Sequence, residues 1–109
     1  MNTRVVVLDE AEQDLKDLQT YLIQHFSVTT WQDSYAKIKK SIRLLKSFPQ
    51  SGTVPDEIRQ YGTTKYRQVL AGMNRIIYEV RADVVYIHII VDTRRDMKSL
   101  LEKRLGQQP

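Results

Sequence analysis

Apolar residues recur at helical steps through the first half of this 109-residue chain and at strand steps through the second. That change of period constrains the fold more than any other feature. Ala11, Leu15, Leu18, Leu22 and Phe26 alternate steps of four and three, the stripe of an amphipathic helix. Trp31, Tyr35, Ile38, Ile42 and Leu45 lay out a second stripe. Asp9, with Glu12 three residues on, reads as the N-cap of the first helix, and Thr29 or Thr30 as that of the second. Two such helices joined by a few residues predict an antiparallel hairpin. Each has one greasy face, so both must cover something flat and apolar, and a sheet is the obvious candidate.

The rest of the chain supplies that sheet. Val5 to Leu8 is a short β-branched run that reads as a strand. Phe48-Pro49-Gln50-Ser51-Gly52 ends the second helix, and an irregular connection runs to about Thr63, with a short helical turn expected over Asp56 to Arg59. Lys65 to Leu70 and Asn74 to Val80 alternate, with Ala71-Gly72 turning between them; Arg81-Ala82-Asp83 turns again before the nearly continuous apolar run Val84 to Val91. Short turns between successive strands predict an antiparallel meander with the last strand central. Arg94 to Leu105 reads as a C-terminal helix stopped by Gly106. The expected fold is α+β: an N-terminal strand, an antiparallel helical hairpin on a small, mainly antiparallel sheet, and a short C-terminal helix. At this length, residues 1–109 are read as one domain.

Basic residues mark the candidate site. Arg67 lies mid-strand, Arg75 opens the next strand, and Arg94-Arg95 follow the last. Strand alternation puts Arg75, Ile77 and Glu79 on one face and Ile76, Tyr78 and Val80 on the other. The second set is the more apolar and should face the helices, leaving Arg75 on the opposite, open face. The face of Arg67 depends on register, which the sequence leaves open. Arginines gathered on a sheet face can hold phosphates by bidentate hydrogen bonds. More commonly, such arginines stay solvated or pair with carboxylates, here Glu79, Asp83, Asp92 and Asp96. His88 is the one histidine of the strand region, but nothing beside it in sequence supplies the orienting partner that acid–base catalysis needs. The second helix carries Lys37, Lys39, Lys40, Arg43 and Lys46, a basic outer face read first as a solvated surface.

Composition narrows the chemistry further. Neither a glycine-rich phosphate loop nor metal-ligand spacing occurs, so no cofactor and no metal are expected. The absence of cysteine excludes disulfides and thiolate metal sites and suits a reducing cytoplasm. No run approaches the roughly 20 apolar residues of a membrane helix, so no membrane partner is expected. The net charge of +4 leans toward an anionic partner: nucleic acid, a nucleoprotein or an acidic protein segment.

Taken in order, these pieces resemble the RelE/ParE superfamily of toxins from type II toxin–antitoxin systems over essentially the whole chain. The resemblance is carried by the strand into a hairpin beginning Asp9-Glu10-Ala11-Glu12 and by the Leu44 to Glu57 connection. It continues in Tyr66-Arg67-Gln68-Val69-Leu70, in Asn74-Arg75-Ile76-Ile77-Tyr78-Glu79-Val80, and in Val84 to Asp96 with its Arg94-Arg95-Asp96 ending. Two departures stand out: Asn74 where the family commonly has tyrosine before the arginine, and Asp92 where many ParE-like members have histidine.

The messenger-RNA-cleaving, RelE-like members imply Arg67, Arg75, His88 and Arg94 as the catalytic set if this chain is a ribosome-dependent endoribonuclease. Cleavage at a 2′-hydroxyl needs a base, an acid and phosphate stabilisation. Here the second strand offers Tyr66, Arg67 and Gln68, and the C-terminal helix offers Leu100 and Leu101, so the stabilisers are present without an evident acid and base. The resemblance therefore favours the ParE branch, similar to inhibitors of DNA gyrase, with Arg67, Arg75, Arg94 and Arg95 as target-binding residues. It also implies a ParD-like antitoxin partner, for which Tyr21, Leu22, Trp31 and Tyr35 are the candidate contacts.

Overall fold

The computed structural model describes residues 3–60 and 62–104. Four strands and four helices follow in the order β1 (Arg4–Val7), α1 (Asp9–His25), α2 (Val28–Ser47), α3 (Asp56–Arg59), β2 (Tyr66–Ala71), β3 (Asn74–Arg81), β4 (Val84–Asp92) and α4 (Met97–Arg104). The α+β reading holds. The sheet order is β1-β4-β3-β2; β4 pairs parallel with β1 and antiparallel with β3, and β2 pairs antiparallel with β3. The last strand is central, as its unbroken apolar run demanded. The expected stop at Gly106 lies outside the described residues, and α4 begins at Met97, not Arg94.

The hairpin covers one face of the sheet. Ala11, Leu18 and Leu22 from α1, Ile38 and Leu45 from α2, and Ile76, Tyr78, Val85, Ile87 and Ile90 from the strands are buried together. Burying each Ile or Leu of this set contributes roughly 1.5–3 kcal/mol. A second, smaller cluster fills the other face: Ile77, Ile89 and Val91 lie under Ile58 of α3 and Met97 and Leu101 of α4. That face was expected to be open. The two short helices cover it because Ile58, Met97 and Leu101 each have one apolar side to bury and the hairpin face is already filled.

Both expected caps move. Leu8, not Asp9, holds the N-cap position of α1, with no side-chain cap, so Asp9, Glu10 and Glu12 act on the helix through its dipole. Ser27 caps α2: its Oγ accepts from the Thr30 backbone N–H at 3.1 Å. The connection after α2 is pinned to the sheet. Thr53 bridges Gln68, and the buried Tyr78 hydroxyl donates to Pro49 O at 2.8 Å while accepting from Gly52 N at 2.9 Å. A Cβ at Gly52 would stand 2.5 Å from that hydroxyl oxygen, so the close approach requires glycine.

Candidate functional site

The arginines singled out by sequence do not share a face. Arg67 pairs in register with Tyr78 and so lies on the hairpin side, where its Nη1 donates to Gly52 O at 2.8 Å. Arg75 lies on the opposite side, against α3. Both of its terminal nitrogens bond the Glu57 carboxylate at 2.9 Å, and its Nε donates to Gln68 Oε1 at 2.8 Å. The Arg75 side chain is only 12% exposed, and the hydrogen bond from Arg75 holds the Glu57 carboxyl below its ordinary pKa. Arg75 is a fastener between β3 and α3, not a free phosphate ligand.

His88 does have an orienting partner, contrary to the sequence expectation. Its Nε2 lies 2.8 Å from Glu79 Oε1, with the two side chains 6% and 1% exposed. A β-bulge brings them together. Arg81 pairs with Val84 and Tyr78 with Ile87, but Ile77 pairs with Ile89, so His88 is an extra residue on β4. The bulge turns His88 toward the α4 side beside Glu79, and Tyr66 packs edge-on against the imidazole at 5.3 Å. Lys65 and Arg81 stand 3.7 and 3.2 Å from the carboxylate, and Glu79 Oε2 has no hydrogen-bond partner among the described residues. An unbroken register would have set His88 opposite Ile77, which is why sequence reasoning missed the pair.

The bulge also explains two residues that the sequence did not flag. Beyond the end of β1, the outer side of β4 would leave backbone groups unpaired. Asp14 of α1 accepts from Ile90 N at 3.0 Å, and Arg104 of α4 donates to His88 O at 2.6 Å. The two side chains bond each other at 3.1 and 3.2 Å, and Arg104 also pairs with Glu10. Burial raises the Asp14 pKa above its ordinary value, against the lowering effect of Arg104 and of the Ile90 N–H.

This clamp floors a cleft of about 610 Å³ between α1, the end of β4 and α4, lined among others by Tyr21, Arg94, Arg95 and Lys103. Arg94 is 66% exposed on its side chain and bonds Asp92 at 2.9 Å through Nε and Nη2, which holds the Asp92 carboxyl below its ordinary pKa. The cleft thus gathers three exposed cations, the carboxylates of Asp17 and Asp92, an aromatic ring and apolar walls, a combination suited to an extended protein segment.

Of the remaining candidates, Leu22 is buried in the hairpin core, and Trp31 packs against that core while stacking on the exposed Tyr35 at 5.0 Å. The structure therefore brings Tyr21, Arg94 and Arg95 together, and leaves Arg67, Arg75 and His88 at three other places. Among the described residues no cluster of His, Asp or Glu could hold a metal ion, and no helix is long and apolar enough to cross a membrane.

Comparison with known proteins agrees with this architecture. No curated protein matches the chain in sequence. A solved structure described as a chromosomal ParDE TA system from P. aeruginosa superposes with a TM-score of 0.68 at 11% identity, covering 83% of this chain and 95% of that one. At that identity it shows the fold alone. The family model for the ParE toxin of type II toxin–antitoxin systems, parDE, matches residues 5–97. That span runs from β1 to the first residue of α4, and the chain belongs to the ParE toxin family.

Proposed function

We propose that this protein is a toxin that inhibits DNA gyrase in the cytoplasm and is neutralised by a cognate ParD-like antitoxin. Membership of the ParE family supports the toxin role. The observation that carries a binding mode over a nuclease is the placement of the acid–base groups. The His88–Glu79 couple lies beneath the surface, and Arg75 is bound on both terminal nitrogens by Glu57. A general base must reach the proton it removes, whereas target recognition needs only the exposed Arg94 and Arg95. An extended antitoxin segment with acidic residues suits the cleft between α1 and α4 and the exposed rings of Tyr21 and Tyr35.

The test is a supercoiling assay. Purified toxin should block gyrase-dependent supercoiling, and Arg94→Ala with Arg95→Ala should weaken the block about tenfold or more, as expected for losing two interface arginines. Normal supercoiling at a large excess of toxin sinks the proposal.

The alternative is a RelE-like endoribonuclease acting on mRNA at the ribosome, in which the buried His88–Glu79 couple would have to be uncovered to serve as acid and base. It predicts transcript cleavage in a translating extract, abolished by His88→Ala. Intact transcripts during growth arrest rule it out.

A further inference from the structure

We propose that the flank of α2 beside β1 is a binding surface for the phosphate backbone of nucleic acid, carried by Arg4, Arg43 and Lys46. These three side chains line a cleft of about 480 Å³ with Thr3, Val5 and Ser47, and no carboxylate lines it. Most other arginines are committed: Arg59, Arg75, Arg81, Arg94 and Arg104 each pair with a carboxylate and Arg67 bonds backbone carbonyls, while Arg95 lies in the separate cleft between α1 and α4. Arg4, Arg43 and Lys46 form no ion pair among the described residues. Arg4 and Asp83 meet only through the backbone, where Arg4 N donates to Asp83 O at 2.9 Å.

Outside the cleft the basic flank continues along the helix to Lys39, whose ammonium lies 4.7 Å over the Tyr35 ring. Lys39, Arg43 and Lys46 are spaced by four and three residues and share one flank of α2. They span about 10 Å at 1.5 Å per residue, which covers four successive phosphates of one strand at 3.4 Å along the duplex axis. Arg4 N and Leu8 N donate toward β4, so alternation turns the Val5 N–H to the outer edge of β1, where it adds a donor on the cleft side. The C-terminal end of α2 carries partial negative charge. Phosphates therefore lie along the flank and not against the helix end. Arginine, lysine and hydroxyl groups here read charge and not base edges, so the binding is independent of sequence and sensitive to salt. The proposal does not depend on gyrase being the target.

The full chain is titrated against two labelled DNA duplexes of unrelated sequence and a polyglutamate peptide, between about 50 and 200 mM salt. Both duplexes should bind alike, with affinity falling log-linearly with salt by about 0.9 per phosphate contacted. Arg43→Ala with Lys46→Ala should reduce that slope by about two, roughly one per lost contact. Lys16→Ala with Lys98→Ala removes the same charge at exposed positions elsewhere and should leave the slope unchanged. An equal loss in this control would assign the binding to net charge alone and overturn the site. Tighter binding of polyglutamate than of DNA, or no DNA binding at the lowest salt, would overturn the ligand class. All four substituted residues are exposed, so both double variants keep the fold, which circular dichroism checks.

Discussion

Toward α1 and α2 the sheet presents Ile76, Val85, Ile87 and Ile90, with the Tyr78 hydroxyl and, at the end of β3, the buried Asn74 amide as its polar groups. Toward α3 and α4 it presents Ile77, Ile89 and Val91 interleaved with Arg75, Glu79 and His88. The first face is held by burial, which is non-directional and proportional to area. The second depends on geometry, because each buried polar group there must meet its partner or cost the full desolvation penalty. The hairpin face should therefore tolerate polar change at its margins and suffer from lost volume. The α3–α4 face should show the reverse.

The largest effect expected is on the hairpin side. Ile87→Ala removes a fully buried side chain from the middle of β4 and should cost about 4 kcal/mol, through lost transfer energy plus a cavity. Chemical denaturation measures it; a cost below about 1.5 kcal/mol would mean that the hairpin collapses onto the sheet and that packing is not what holds this face.

On the other side, Arg104→Ala should cost about 3 kcal/mol, the value for breaking a buried charge pair. It strands the Asp14 carboxylate, itself 13% exposed, and removes the donor to His88 O beside the bulge. A loss of only a few tenths, typical of an exposed pair, would place the clamp in solvent and erase the contrast between the two faces.

The sequence was informative where burial decides and silent where geometry decides. Helical steps at Leu18, Leu22, Ile38 and Leu45 and alternation at Ile76 and Tyr78 identified the hairpin core, because apolar periodicity depends only on which side of an element faces inward. The turn at Asp56 to Arg59 was also readable from its residues. The α3–α4 face was not. His88 meets Glu79 only because one residue is inserted into the β4 register, and a bulge leaves no mark in composition or period. Arg104 meets Asp14 across 90 positions, a spacing that no local rule anticipates. Arg75 looked free because Glu57, its partner, sits in a helix of one turn within an irregular connection.

The Arg75–Glu57 pair gives a smaller effect with a distinct pH signature. The fold lowers the Glu57 pKa from its ordinary 4.5, so the pair stabilises the protein fully above that value and is lost as pH falls through the folded pKa. Glu57→Gln should therefore cost about 1–2 kcal/mol at pH 7, as a charge-assisted hydrogen-bonded pair does, and almost nothing in acid below the folded pKa. Asp14 shifts the opposite way, but it titrates in both proteins and cancels in the difference. A wild-type-minus-variant difference that stays constant with pH would mean that packing of the Glu57 side chain, not its charge, fastens α3.

The smallest effect tests the margin of the hairpin layer. Ser27 caps α2 from an exposed position, and Ser27→Ala should cost about 1 kcal/mol, the usual loss for a missing cap. Asp9→Ala should cost only a few tenths, because Asp9 makes no cap hydrogen bond and acts on α1 through the dipole alone. The order of these two matters more than either value. Thr30, which the spacing nominated as a cap, instead donates its backbone N–H to Ser27. If Asp9→Ala proved the costlier substitution, the entry into α1 would be fixed by a polar contact, and the hairpin layer would share the directional chemistry of the opposite face.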